Sequence, residues 1–510
     1  MSPAEPRPPT TTVEPRTPNT RPREDSTKPM MSHKMLLALL PQIPILVRVA
    51  ILHALRMSEQ SKYLDLRTAL VVALMRSMMN SSTPHSVTST QKLASQAPKL
   101  KGKIWVSTYT CPTPPKGETG LQDAIARGID GLCNPKLPKP SYEMAQPAPV
   151  EAEWTGYRAG ATAESRLPEV SQRELYTEMM KEVKSPVTVL YFHGGAYFLL
   201  DPATHRPTTK TLAKLTGGRV YSVRYRLAPQ HPFPAALMDA LMSYLALLYP
   251  PEGAFHEPVR AEHIVFAGDS AGGNLSLALL QLLLHLNRTS HTVPWLGQRR
   301  AIPLPAGVAV NSPWLDITHS SPSCTSNAPF DYLPTPHQQQ VSDAKRPPCA
   351  AWPANPPRKH LYVADSLVAH PLASLVMAQS WAGAPPVYMC TGWELLADED
   401  KFMAHKMWRE GVCVVFEEYE AMPHCFGLVF PQLAGARRCL EGWAGFIKGV
   451  VEGGKEGVGE SRFLTVRARK LDEVRKEAGE VWMDGEDVVQ ERVWRRLRER
   501  GFPEEGIAKL

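Results

Sequence analysis

The chain has 510 residues, with 57 Lys and Arg against 50 Asp and Glu and a formal net charge of +7. That length admits several average domains, yet a fold built on one large sheet can use most of it as a single unit. The modest charge, spread along the chain without a basic stripe, argues against a nucleic-acid partner. The eight cysteines show neither C-x-x-C nor Cys/His spacing, which argues against a disulfide framework and a zinc site.

Proline is over-represented, at 49 residues. Residues 1–30 alternate Pro, Thr, Arg and Glu almost without apolar side chains, a composition that predicts a disordered tail. An apolar run follows, MLLALLPQIPILV from Met35 to Val47 and then VAILHALRM to Met57. Its uncharged part is shorter than the roughly 20 residues that span a bilayer, and Pro41 and Pro44 interrupt it. Residues 35–57 are therefore expected either to lie on a membrane surface or to cap a pocket. Tyr63 to Met79 sets Leu66, Leu70, Leu74 and Met78 on one helical face. KIWVSTYT and EAEWTGYRA read as edge strands, and Ala161 to Val183 holds a polar helix. Residues 31–185 are thus read as apolar N-terminal helices, a cap and an edge region.

From Val187 the pattern changes to short β-branched and aromatic runs alternating with helical stretches, which is how an inner parallel sheet reads. VTVLYF ends in His193-Gly194-Gly195-Ala196-Tyr197, where consecutive glycines after a strand can turn amides toward one point. Arg219 to Arg224 is a second strand, and a helix is expected from Pro234 to Leu248. His205 and His231 lie in Pro-rich connections and read as packing residues. Ile264 to Ala267 is a third strand, followed by Gly268-Asp269-Ser270-Ala271-Gly272 and a Leu-rich helix. G-x-S-x-G between strand and helix is the nucleophile elbow, which projects Ser270 Oγ outward and aims the Ala271 amide at developing negative charge.

Downstream, Ala306 to Val310 is a strand, Thr318 to Lys359 a polar surface insertion, and Pro385 to Cys390 a strand that runs into Thr391-Gly392-Trp393-Glu394. A serine hydrolase of this chain order carries its acid after the serine, at the carboxyl end of a strand. Glu394 fits that place better than Asp398, which lies within the following helix. Val412 to Tyr419 is the last core strand, and His424 in the loop after it fits a general base. Residues 451–510 alternate acid and base and read as a charged helical extension, with Val493, Trp494 and Leu497 able to dock.

HGGAY at 193–197, YRLAPQHPFPAAL at 225–237, GDSAGGN at 268–274 and MPHCFG at 422–427 together resemble the hormone-sensitive-lipase family of α/β-hydrolases. Ser61 to Met79 is also similar to the N-terminal part of fungal members. The resemblance implies an α/β-hydrolase fold over residues 186–450, a mainly parallel eight-stranded sheet with helices on both faces and a helical cap. It implies a carboxylic ester hydrolase without metal or organic cofactor, with Ser270 as nucleophile, His424 as base, and Gly194, Gly195 and Ala271 as oxyanion donors. Two departures from the family pattern stand out: Ala196 where a third glycine is common, and Glu394 where the acid is usually aspartate. The expected partner is a small lipophilic or acetylated ester, and the expected location is the cytoplasm or an intracellular membrane of the ER type. An acyltransferase using the same acyl-enzyme, or a silent ligand-binding scaffold, are the alternatives.

Overall fold

The computed structural model describes residues 40–80, 83–95, 100–135 and 138–502. The tail expected at 1–30 lies outside the described residues. The chain divides into two units, residues 1–44 and 45–510. Of the first, the described part contains one 3₁₀ turn, Leu40–Gln42.

Among the described residues the second unit has twelve strands: β1 (Ile104–Cys111), β2 (Val150–Tyr157), β3 (Thr188–Phe192), β4 (Arg219–Arg224), β5 (Ile264–Asp269), β6 (Val293–Trp295), β7 (Gln298–Arg300), β8 (Gly307–Asn311), β9 (Val387–Gly392), β10 (Val414–Tyr419), β11 (Arg462–Val466) and β12 (Glu473–Lys476). Ten of them form one sheet in the order β1-β2-β4-β3-β5-β8-β9-β10-β11-β12, while β6 and β7 make a separate hairpin. From β4 through β11 every pairing is parallel; β2 and β12 run against their neighbours.

The central strands are buried along their whole length because both faces are covered. Successive side chains of β5 fall into different cores, Ile264 and Phe266 on one side, Val265 and Ala267 on the other. The helices Ala235–Leu248 and Ala271–Arg288 cover the first face, and Pro202–Thr216 and Ala434–Val458 the second. Such a sheet places the carboxyl ends of β3, β5, β8, β9 and β10 along one edge, where loops can meet.

Three expectations need correction. The sheet has ten strands rather than eight, because residues 451–510 are not purely helical: β11 pairs with β10 through Arg462-Phe463-Leu464-Thr465-Val466. The lines drawn at 186 and 451 are also no boundaries, since β1 and β2 belong to the main sheet and the helix Ala434–Val458 runs across residue 451. Finally, the helix Leu66–Met79, capped by Asp65, buries Thr68, Ala69, Val72 and Ala73, while Leu66 and Met78 are exposed. Its small residues allow close approach, so the large ones are left outside. The docking expected of Val493, Trp494 and Leu497 is found: all three are buried on the helix Glu486–Glu499.

Phe463 shows how firmly the extension is part of the fold, being 3% exposed with its ring 6.1 Å from Phe416. Phe463→Ala should lower the unfolding free energy by about 3 to 5 kcal/mol in a urea titration. An unchanged midpoint would mean that β11 lies outside the cooperative unit.

Candidate active site

The turn after β5 is set by steric necessity. A Cβ on Gly272 would stand 1.9 Å from the Phe192 carbonyl oxygen, so the helix can begin hard against the end of β3 only if residue 272 is glycine. Ser270, at φ 52° and ψ −120°, turns the corner, and its amide donates to the Asn311 carbonyl at 3.0 Å. A second close approach joins β9 to the loop after β10: a Cβ on Gly392 would stand 2.0 Å from the Met422 carbonyl oxygen.

That approach brings Glu394 to His424. Glu394 Oε2 lies 2.6 Å from His424 Nδ1, and Oε1 accepts the Thr391 hydroxyl at 2.7 Å. Glu394 is fully buried and His424 is 4% exposed. Asp398 faces elsewhere and accepts the Ser323 amide at 2.9 Å. Burial alone would pull the His424 imidazole down, but the Glu394 carboxylate beside it outweighs that and leaves its pKa raised. The converse holds for Glu394, which burial pushes up and the imidazole brings below its ordinary value. Among the described residues no hydrogen bond joins Ser270 Oγ to His424 Nε2. Nε2 instead lies 3.4 Å from the Cys425 thiol.

The loop after β3 corrects one expected donor. The Gly194 amide is already committed, donating to Asp269 Oδ1 at 3.2 Å. The amides of the next two residues, Gly195 at φ 109° and Ala196 at φ 51°, meet no acceptor among the described residues, and neither does that of Ala271. Gly194 is thus the one expected donor whose amide is already occupied. Asp269 itself takes the Tyr191 hydroxyl at 2.6 Å and stands 3.3 Å from His205 Nε2. His205 is therefore a packing residue of a particular kind, buried as the partner of Asp269. His231 has Arg226 and Asp239 as its charged neighbours.

Sequence reasoning missed Asp331. It is fully buried inside an insertion that reads as polar surface, and its carboxylate accepts amides from both the His424 and the Glu394 loops. The one available signal was its setting, an acid between Pro-Phe and Tyr-Leu.

A family profile described as the alpha/beta hydrolase fold matches residues 189–428. An acetyl-hydrolase of Streptomyces hygroscopicus is 31% identical over 262 residues, 51% of this chain and 75% of the relative. An esterase of Acinetobacter venetianus is 28% identical over 270 residues, 53% of this chain and 77% of the relative. The crystal structure of an esterase from the bacterial hormone-sensitive lipase family aligns with a TM-score of 0.49 at 21% identity, over 78% of this chain and 99% of that one.

The two kinds of backbone demand can be separated by mutation. Gly272→Ala should abolish activity and leave little folded protein, because the clash is with backbone. Ala196→Gly should keep activity and hold or raise the unfolding free energy by up to about 1 kcal/mol, since it relieves a left-handed alanine. Both are read by thermal or denaturant unfolding beside an ester-hydrolysis assay.

Proposed function

Because this chain belongs to the α/β-hydrolase fold family, we propose that it hydrolyses carboxylic esters through an acyl-enzyme formed on Ser270, in the manner of the hormone-sensitive-lipase type. Its relatives are named acetyl-hydrolase and esterase, and the chain is a carboxylic ester hydrolase. The observation that carries the mechanism is the buried 2.6 Å contact between Glu394 and His424 beside an elbow serine at positive φ.

In this reading His424 Nε2 removes the Ser270 proton as Oγ attacks the ester carbonyl. Glu394 fixes the imidazole tautomer and stabilises the imidazolium that forms. The oxygen that gains charge is met by the amides of Gly195, Ala196 and Ala271, each such donor being worth about 3 to 4 kcal/mol in the transition state. The imidazolium then hands its proton to the departing alcohol, and water cleaves the acyl-enzyme by the same route. Catalytic hydrogen bonds are often long before substrate binds, and the Ser270–His424 bond is taken to form with substrate in place. An intact His424–Glu394 pair argues against a silent binding scaffold.

The substrate is proposed to be a small lipophilic or acetylated ester, met at a membrane surface. The helix Ile43–Ala54 has no buried residue, and Ile45, Val47, Ile51 and Leu55 are 43% to 62% exposed, with Arg48 and Arg56 beside them. An exposed apolar face with basic residues suits a helix lying in the interface. Among the described residues no helix is long and apolar enough to cross a membrane. The exposed apolar face favours the surface reading over the cap for residues 40–57, the part of 35–57 that lies within the described residues.

Two tests follow. Ser270→Ala should reduce hydrolysis of a short-chain nitrophenyl ester to background, and unchanged turnover would refute the nucleophile. The imidazole must be neutral to act and its pKa is raised, so kcat/KM should fall as pH drops through a value above about 6.5. Glu394→Gln should move that limb to lower pH and cut kcat by on the order of 10³-fold or more. For the membrane, the full chain should co-sediment with vesicles containing anionic phospholipid, and Ile51→Glu with Leu55→Glu should weaken this. Equal sedimentation of both would end the proposal.

A further inference from the structure

Asp331 sits outside every recognisable motif, yet it accepts backbone amides from the loops of both Glu394 and His424. Its Oδ1 accepts the His424 amide at 3.1 Å and the Tyr332 amide at 2.7 Å, and Oδ2 accepts the Leu395 amide at 2.8 Å. Leu395 follows the acid directly. Burial raises the Asp331 pKa and the Glu394 carboxylate adds to this, while the His424 imidazole and the surrounding N–H donors favour the ionised form.

The segment that carries Asp331 is held in turn from the N-terminal arm. Arg76, on the helix Leu66–Met79, donates through Nε to the Asp331 carbonyl at 2.8 Å and through Nη2 to the Pro329 carbonyl at 2.8 Å. Gln60 donates to that same Pro329 carbonyl. Tyr63 packs edge-on against Phe330 at 5.9 Å and Trp393 at 5.1 Å, and Trp393 is the neighbour of Glu394.

We propose that Asp331 is a positioning residue that fixes the loops of His424 and Glu394 in register with one another, and that Arg76 extends this brace to the N-terminal arm. The proposal rests on the Ser270–His424–Glu394 reading. One carboxylate bonded to two loops converts a movement of either into the breaking of a buried, charge-assisted hydrogen bond. Supporting groups of this sort typically carry 10- to 100-fold in activity.

Asp331 also adds negative charge near the imidazole. The groups that face His424 are Glu394 at 2.6 Å, the carboxylates of Asp331 and Asp269, the Cys425 thiol at 3.4 Å and the Tyr332 ring at 6.2 Å. Asp331→Asn keeps the size and one acceptor, removes the charge, and presents an NH₂ to the Leu395 amide. Its kcat should fall about 10- to 100-fold, KM should change by less than about threefold, and the acid limb of kcat/KM should move to lower pH. Arg76→Ala leaves the carboxylate in place and should lower kcat about 3- to 10-fold with the limb unmoved.

Thermal unfolding confirms that each variant is folded. A wild-type kcat in Asp331→Asn, a loss confined to KM, or a lowered kcat with an unmoved limb would each overturn the proposal. If Asp331→Asn does not fold, Arg76→Ala decides: a kcat loss at constant KM supports the brace, and a wild-type kcat overturns it. Ser270→Ala run in parallel separates the two levels, because residual turnover there would remove the triad reading itself, whatever residue 331 does.

Discussion

A carboxylate taken out of water must be met by donors, and three such groups organise the functional edge of this sheet. Asp269, Asp331 and Glu394 are at most 3% exposed. Each collects donors from a different part of the chain. Asp269 takes the Tyr191 hydroxyl and the Gly194 amide, and is paired with His205. Glu394 takes Thr391 and His424, and Asp331 takes the amides of Leu395 and His424. The loops after β3, β9 and β10 are thereby tied to the elbow and to the insertion through bonds whose loss would strand a buried charge. Chemistry that depends on donors already in place needs loops held in this way.

The groups proposed to react were legible because each has a local signature. Ser270 stands in a strand, glycine-spaced turn and helix, while Glu394 and His424 each follow the end of an apolar strand. The supporting groups have none. Asp331 meets His424 across 93 positions, and the Pro-Phe and Tyr-Leu pairs around it carry no catalytic signature. The Gly194 amide is spent on Asp269 because of where the loop passes, and a backbone amide has no letter of its own in the sequence. The strand Arg462–Val466 has charged neighbours and becomes a strand only because β10 offers it an edge. On the helix Leu66–Met79 the large apolar residues drew attention, but close packing selected the small ones.

The N-terminal arm divides its work accordingly. The helix Ile43–Ala54 buries nothing, so the core does not require it. The helix Leu66–Met79 is held by Arg76 to carbonyls of the Asp331 segment. The first is apolar where it is exposed, and the second joins the fold both through the buried Thr68, Ala69, Val72 and Ala73 and through the Arg76 bonds. The arm is thus exposed and apolar at one end and hydrogen-bonded at the other to the Asp331 segment, which in turn holds the loops of Glu394 and His424.

Backbone strain gathers at the same edge. Ala196, Tyr197, Ser270, Ser312, Ala421 and Cys425 all have positive φ, and all lie on loops leaving the carboxyl ends of the sheet. Each such residue costs on the order of 1 to 2 kcal/mol and persists only where its surroundings leave no alternative. The carboxylate bonds and the two glycine contacts supply that constraint. What the strain accomplishes is clearest at Ser270. It occupies the N-cap of the helix Ala271–Arg288, where a serine in ordinary extended conformation would turn its hydroxyl onto the first amides of the helix. At φ 52° and ψ −120° it makes no such bond. The hydroxyl and the Ala271 amide, which an unstrained cap would have spent on each other's neighbourhood, are both left for an incoming acyl group.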